Sequence, residues 1–198
     1  MDYRKLGRSG VLVSPLCLGT MNFGGSTNEA DSFTIMQKAV EGGINFFDTA
    51  NVYNKGESER ITGKFLKEKN LREQVVLATK VYGRVGDLPN EGGSTRYHII
   101  KACEDSLQCL QTDHIDLYYL HMWDFMTPVE EVVRGLDDLV RQGKVSYVAF
   151  SDTPDYIVAE ANVRADLMGW SRFIGMQIPY SLLDRAVERS IIPMAKHW

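Results

Sequence analysis

The segment INFFDTANVY, residues 44–53, places an acidic side chain directly after a short apolar run. The pattern returns in VVLATK, residues 75–80, and in IDLYYLH, residues 115–121, where Lys80 and His121 end the run. Short apolar runs separated by longer amphipathic stretches are typical of βα units in a parallel sheet. In a closed parallel barrel, the residues that follow the strands gather around one mouth, where the active sites of such barrels lie. The segment therefore predicts both the fold class and the position of a site.

Similar runs predict six strands along the whole chain. They lie near residues 16–18, 45–47, 75–79, 116–120, 145–150 and 173–176, after a small hairpin indicated by Gly7 and Gly10. Helix starts are indicated by capping boxes at residues 26–29 and 127–130 and by Thr153-Pro154, and helix ends by Gly42-Gly43, Gly143 and Gly169. We expect a single α/β domain over residues 1–198 with six βα units in order.

The main competing fold is the doubly wound dinucleotide-binding fold. It requires a glycine-rich G-x-G-x-x-G turn after its first strand. The corresponding segment, GTMNFGG at residues 19–25, does not match that pattern, which occurs nowhere else in the chain. A parallel barrel is therefore the preferred prediction.

Composition argues against several classes of function. The chain has 22 basic and 26 acidic residues, a net charge of −4, and no basic cluster of the kind that nucleic acid requires. The first residues lead into no apolar signal region, and no apolar run approaches the roughly 18 residues of a membrane helix. We therefore expect a cytoplasmic protein with neither nucleic acid nor membrane as partner.

Cys17, Cys103 and Cys109 form no C-x-x-C pair, and we expect all three to be reduced and mostly buried, without a disulfide or a zinc site.

Each predicted strand is followed by a polar residue where its apolar run stops. These residues are Thr20, Asp48, Lys80, His121, Ser151 and Gln177. Six polar residues after six strands are more than the composition of loops requires. We therefore expect them to lie on one rim of the barrel.

Three of these strand ends carry a family resemblance. The segments DTANVY at 48–53, ATK at 78–80 and LYYLH at 117–121 resemble the aldo-keto reductase signature at its three separate places and in its order. Further matching segments are LGTM at 18–21, GESE at 56–59, RQGK at 141–144 and QIPYSL at 177–182. The chain looks closest to bacterial-type members related to potassium-channel β-subunits. The resemblance implies a (β/α)8 TIM barrel and an oxidoreductase that uses NADP(H) to reduce a small-molecule aldehyde or ketone to an alcohol.

The resemblance implies a catalytic tetrad of Asp48, Tyr53, Lys80 and His121. Hydride reduction of a carbonyl leaves a charged oxygen that must be stabilised and protonated, and Tyr53 is the implied acid. Because a free tyrosine has a pKa of about 10, a neighbouring cation such as Lys80 should lower it. Asp48 would balance the charge of the lysine, since a buried ammonium without a partner is costly. His121 would donate a hydrogen bond to the substrate carbonyl.

The resemblance also implies contacts to the cofactor. The predicted cofactor-binding residues are Gly19, Thr20 and Met21 at the nicotinamide ribose, Ser151, Asp152 and Gln177 at the carboxamide, and Asp48. Asp152 departs from the commoner asparagine and can accept a hydrogen bond but not donate one unless it is protonated. Phe23, Tyr82 and Trp123 are candidate walls of an apolar substrate pocket, with core packing as the alternative. No metal is implied.

The length is short for a complete barrel of this type. A (β/α)8 barrel takes about 250 residues, so we expect a barrel that lacks its last two βα units. In the family, those units supply the aromatic residue that stacks on the nicotinamide and the basic residues that bind the 2'-phosphate. The segment alone therefore does not distinguish NADP from NAD. Two unpaired sheet edges would favour self-association.

Three alternatives to the reductase remain open. The first is a cofactor-binding regulatory subunit of the channel β-subunit type, and the second is a truncated chain without activity. The third is an aldolase barrel in which Lys80 forms a Schiff base. Asp48 and Tyr53 disfavour the aldolase, because that chemistry does not need them in these positions.

Overall fold

The computed structural model describes residues 1–198 as a curled parallel sheet with helices on its outer side. The strands are β1 (Arg4–Lys5), β2 (Leu12–Val13), β3 (Leu18–Gly19), β4 (Phe46–Asp48), β5 (Val76–Val81), β6 (Ile115–Leu120), β7 (Val145–Ser151) and β8 (Phe173–Gln177). The helices are α1 (Glu29–Glu41), α2 (Glu57–Glu68), α3 (Arg96–Leu110), α4 (Val129–Arg141), α5 (Asp155–Met168) and α6 (Ile191–His197). Short 3-10 turns cover Tyr53–Gly56, Arg72–Gln74 and Ala186–Glu188.

Strand order confirms the predicted topology. The six parallel strands pair in the order β3-β4-β5-β6-β7-β8, and each is followed by a helix before the next strand begins. The first two strands form a separate antiparallel hairpin, as Gly7 and Gly10 predicted. Six consecutive βα units in one curled sheet form a half-barrel, which matches an incomplete (β/α)8 barrel.

Several strands continue one or two residues beyond their predicted ends. Asp48, Ser151 and Gln177 are the last residues of their strands, and Lys80 lies inside β5. Asp48 is paired with Ala78, and Ser151 with Gln177, across neighbouring strands. The prediction ended each strand just before its polar rim residue, whereas backbone pairing does not depend on the polarity of the side chain. The polar residues are therefore held by the sheet itself.

The two faces of the sheet have different cores. The outer face packs against the helices in a cluster of 32 buried apolar residues. The inner face forms a small cluster of Ala78, Leu117, Tyr119 and Ala149, with Leu6 of the hairpin packed against it. A Cβ on Gly7 would lie 1.9 Å from the carbonyl oxygen of Ile174, so the hairpin approaches β8 too closely for any other residue. The hairpin is thereby placed beside the inner cluster.

The predicted helix ends were more accurate than the predicted capping boxes. Gly42-Gly43, Gly143 and Gly169 follow α1, α4 and α5 as expected, and α5 begins after Thr153-Pro154. The box at residues 26–29 is wrong, because Asn28 caps α1 by accepting from the backbone N–H of Asp31 at 2.9 Å. The box at residues 127–130 is also wrong. The Thr127 hydroxyl donates to Asp124 at 2.8 Å instead of capping α4.

The cysteines follow the prediction only in part. All three are free, as expected, but Cys17 is exposed and Cys109 is half-buried, so only Cys103 has the burial predicted for the set. Cys17 lies just before β3, which is an edge strand of the six-stranded sheet.

None of the helices combines the length and apolar character needed to cross a bilayer.

Candidate active site

A buried lysine lies at the centre of the predicted tetrad. The Lys80 side chain is 0% exposed, and its Nζ donates to Oδ2 of Asp48 at 2.5 Å and to the carbonyl oxygen of Thr49 at 2.8 Å. A third hydrogen bond, of 3.2 Å, joins Nζ to the hydroxyl of Tyr53. An ammonium has three donors, so Lys80 is fully satisfied by these partners.

Aromatic rings surround the same ammonium. Nζ of Lys80 lies 4.9 Å from the ring centroid of Tyr53 and 5.9 Å from that of Tyr119. The imidazole of His121 meets the Tyr53 ring edge to face, with centroids 5.7 Å apart. A cation within about 6 Å of an aromatic face is attracted by the ring quadrupole. The structure thus brings Asp48, Tyr53, Lys80 and His121 into one contact group.

Burial and the lysine charge set the protonation of two of these groups. Burial, and to a lesser extent the nearby charge of Lys80, together lower the pKa of His121 to about 4. His121 is therefore a neutral imidazole near pH 7, which the sequence left open. Burial raises the pKa of Asp48 above its ordinary value of 3.8, and the Lys80 ammonium opposes that rise.

One oxygen of Asp48 has no partner. Oδ2 binds Lys80, whereas Oδ1 is buried with no partner at hydrogen-bond distance, although the Gln177 side chain approaches the carboxylate and opposes the rise of its pKa. Buried polar atoms are normally satisfied, and an exception needs an explanation. A hydroxyl of a nicotinamide ribose is a donor that suits this acceptor, so the residues present fit the predicted cofactor at this point.

The predicted carboxamide residues lie together at the ends of β7 and β8. Ser151 is paired with Gln177, and the backbone N–H of Asp152 donates to the Gln177 carbonyl oxygen at 3.3 Å. Asp152 has a left-handed backbone with φ of 38°, which Asp adopts more readily than most residues. Ala149 belongs to the inner cluster and Ser151 follows it by two residues in β7, so the Ser151 side chain lies on the inner face of the sheet.

The three residues predicted to line the nicotinamide ribose differ in their burial and contacts. Gly19 and Met21 are exposed, whereas Thr20 is 0% exposed. The Thr20 hydroxyl donates to the Asp48 carbonyl oxygen at 3.1 Å and lies 2.8 Å from the hydroxyl of Ser58. A side chain used in this way holds the loop to the sheet and is turned away from a ligand. The Thr20 backbone is bonded as well, because its N–H donates to the Asp48 carbonyl oxygen at 2.9 Å and its carbonyl oxygen accepts from Ser58 at 2.8 Å, so Thr20 orders the loop.

The candidate substrate walls are mostly packing residues. Phe23 and Trp123 are 3% and 6% exposed and belong to the large outer cluster. Their surroundings match the core-packing alternative. Tyr82 is half-buried and directly follows β5, so it remains the wall candidate with free surface.

The structure adds residues that the sequence analysis did not single out. Tyr119 faces Lys80 from within the barrel, and the alternation of β6 would have indicated this, since it lies two residues before His121. Ser58 connects Thr20 and Thr49 through its hydroxyl, and it belongs to the GESE segment already noted. No group of three or more His, Cys, Asp or Glu side chains is arranged to hold a metal ion.

Comparison with known proteins identifies the family. The model of the aldo/keto reductase family matches residues 15–197. The uncharacterized oxidoreductase YrpG of Bacillus subtilis is 44% identical over 99% of this chain and 63% of its own length. Norsolorinic acid reductase of Aspergillus flavus is 42% identical over 95% of this chain and 52% of its own length. The aryl-alcohol dehydrogenase (NADP(+)) of Phanerodontia chrysosporium is 37% identical over 95% of this chain and 53% of its own length.

The chain thus spans between about half and just under two thirds of these relatives. The family match nevertheless covers all six βα units and every residue of the contact group around Lys80. The chain therefore belongs to the aldo/keto reductase family.

Proposed function

We propose that the chain contains the active site of an NADP(H)-dependent oxidoreductase that reduces an aldehyde or ketone to an alcohol. The observation that supports this most directly is the buried Lys80, whose donors bind Asp48, Thr49 and Tyr53. A buried ammonium held against a phenol is an arrangement suited to proton transfer. We treat residues 1–198 as one domain with six of the eight βα units of the barrel.

The nicotinamide cofactor, when bound, supplies the hydride that is added to the carbonyl carbon. The free Oδ1 of Asp48 would accept from its ribose, and Ser151 and Gln177 would bind its carboxamide. Gly19 and Met21 would line the ribose from the exposed loop after β3. These contacts would hold the nicotinamide beside Tyr53.

Tyr53 is proposed to donate the proton. As the substrate oxygen gains negative charge, the Tyr53 hydroxyl would transfer its proton to that oxygen. The Lys80 ammonium, 3.2 Å from the hydroxyl, would stabilise the phenolate that remains. This stabilisation is strong because the ammonium is buried and shielded from water. Asp48 balances the charge of the ammonium through its contact with Nζ.

His121 is proposed to orient the substrate. Because its pKa is lowered to about 4, it is neutral over the working pH range and can donate one hydrogen bond to the carbonyl oxygen. A neutral donor polarises the carbonyl without competing with Tyr53 for the role of acid. Its edge-to-face contact with the Tyr53 ring would place both groups at the same oxygen.

The choice of NADP(H) and of the substrate class rests on the relatives. One carries NADP(+) in its name, and two are named for a reductase of norsolorinic acid and a dehydrogenase of aryl alcohols. We therefore propose a carbonyl attached to an aromatic ring as the first substrate to be tested.

The test is NADPH oxidation with an aromatic aldehyde, in the wild type and in Tyr53→Phe. We expect turnover in the wild type and its loss in the variant, with NADPH binding unchanged, because the ring contacts with Lys80 and His121 are kept. Equal turnover in the two proteins would contradict the role of Tyr53. NADPH binding without turnover in the wild type would support the regulatory alternative instead.

A further inference from the structure

One side chain ties the loop after β3 to the turn that contains Tyr53. Nδ2 of Asn54 donates to the carbonyl oxygens of Met21 and Phe23, both at 2.8 Å. These partners lie 33 and 31 positions earlier in the chain. Asn54 directly follows the proposed acid, and Met21 lies in the proposed ribose loop. A single amide thus joins two parts of the proposed site.

The backbone at Asn54 is unusual. Asn54 and Lys55 have φ angles of 48° and 57°, and Gly56 continues with 85°. Left-handed conformations are uncommon for residues other than glycine, and asparagine tolerates them better than most. Such strain persists where surrounding contacts over-determine it, and it is concentrated at functional sites. Here the two hydrogen bonds of the amide supply such contacts.

The loop is shaped around this amide. A Cβ on Gly25 would lie 2.5 Å from Oδ1 of Asn54, so only glycine leaves room for the side chain. On the other side of the loop, the Ser58 hydroxyl donates to the Thr20 carbonyl oxygen at 2.8 Å. The loop is therefore attached to the Tyr53 turn and to the start of α2 at separate points.

We propose that Asn54 is a positioning residue that sets the loop of residues 19–25 against Tyr53. The amide would keep the cofactor-lining backbone at Met21 at a constant distance from the proposed acid. Without it, the loop and the turn would move independently, and the nicotinamide and the phenol would lose their alignment. This role rests on the proposed function, since it presumes that the loop lines the cofactor.

The experiment compares Asn54→Gly with Lys55→Gly. Glycine accepts the left-handed backbone at both positions, but only the first substitution removes the two hydrogen bonds. We expect Asn54→Gly to bind NADPH about tenfold more weakly, as the loss of one to two hydrogen bonds predicts, and to lower kcat as well. Lys55→Gly should match the wild type. Asn54→Asp, which keeps the shape but cannot donate through a carboxylate, should resemble Asn54→Gly and serves if the glycine variant fails to fold.

A measurement on the cofactor-free protein tests the position of Tyr53 directly. The Tyr53 and His121 rings, with centroids 5.7 Å apart, should give a nuclear Overhauser effect in the wild type and in Lys55→Gly. We expect a weakened effect in Asn54→Gly. An equal effect in all three proteins would overturn the inference. Absence of NADPH binding and turnover in the wild type would instead contradict the proposed function, and the ring measurement would still decide the role of Asn54.

Discussion

Two buried carboxyl groups flank strand β5, one on each face. Asp48 lies on the inner face and forms an ion pair with Lys80, whereas Glu59 of α2 lies on the outer face and is 1% exposed. Oε1 of Glu59 accepts from the hydroxyl of Thr79 at 2.6 Å, and none of its hydrogen bonds or ion pairs comes from a cation. Lys80 and Thr79 are adjacent in β5, so one residue binds Asp48 on the inner face and its neighbour binds Glu59 on the outer face.

The difference separates a reactive acid from a structural one. Burial raises the pKa of both carboxyls, but a full positive charge opposes the rise at Asp48, whereas hydroxyl hydrogen bonds are the main opposition at Glu59. In an apolar environment, a carboxyl group with no cation beside it is more stable in its protonated form than in its ionised form. The inner face therefore holds an ion pair at the proposed site, and the outer face holds a carboxyl that is bonded to a hydroxyl within the packed core.

The largest effect should follow from removing the cation. Lys80→Met would leave Asp48 buried without its partner, much like Glu59. Breaking a buried ion pair costs about 3–5 kcal/mol, so urea unfolding should show a loss of that size. Carbonyl reduction should fall on the order of 100- to 1000-fold, because charge stabilisation of the phenolate is lost.

The control for this change is the double variant Lys80→Met with Asp48→Asn. Removing the second charge should restore most of the stability while turnover stays low. A double variant as unstable as the single one would show that the cost came from lost packing. In that case the comparison between the two carboxyls would fail.

A smaller effect is expected from Glu59→Gln, measured as a function of pH. Because the folded-state pKa of Glu59 is raised above 4.5, its contribution to stability is present below pH 4.5 and declines as pH rises through the folded value. Glutamine keeps an acceptor for Thr79 but cannot lose a proton. The free energy of unfolding of the wild type, relative to the variant, should therefore decrease between about pH 4.5 and neutrality.

Urea unfolding at several pH values measures this difference. The same substitution at Glu57, a half-buried residue of the same helix that pairs with Arg60, controls for removing a carboxylate from α2. A wild-type stability that rises with pH relative to Glu59→Gln would mean that Glu59 is held ionised. The two carboxyls would then be alike.

The smallest effects concern the adjacent tyrosines of β6. The hydroxyl of Tyr118 is buried on the outer face without a partner, so Tyr118→Phe should leave stability unchanged or raise it by about 1 kcal/mol. Tyr119 faces Lys80 on the inner face, so Tyr119→Leu should cost about 0.5–1 kcal/mol through the lost cation–π contact. The melting temperatures of the two variants measure these effects. Equal shifts of melting temperature in the same direction would show that the inner and outer faces of β6 do not differ.

Much of the fold was predictable because its signals are local. Short apolar runs between longer amphipathic stretches located all six parallel strands, because a strand buried on both faces needs only a few consecutive apolar residues. Glycines after helices also depend on local backbone geometry, and those predictions were confirmed. The capping boxes were wrong because Asn28 caps α1 in place of Ser26, and because the Thr127 hydroxyl is taken up by Asp124 and α4 has no side-chain cap.

The candidate site was predictable as a set of residues but not as an arrangement. Asp48, Tyr53, Lys80 and His121 were selected from their places after apolar runs and from the family resemblance. Asn54 was missed because asparagine in a turn is common, and only its two partners more than 30 positions away distinguish it. Phe23 shows the converse, since its place near a strand end suggested a pocket while the fold buries it in the core.

The sequence by itself determined the order of the βα units and the residue types at the strand ends, because both are visible in short stretches of the chain. The tertiary structure alone decided the neutral state of His121 and the hydrogen bonding of its neighbours, namely the buried Oδ1 of Asp48 without a partner and the three bonds of Lys80. Charge states depend on burial and on groups brought together from separate strands, such as Asp48 and Lys80, which are 32 positions apart. A linear sequence contains neither the distance between these groups nor the exclusion of water around them.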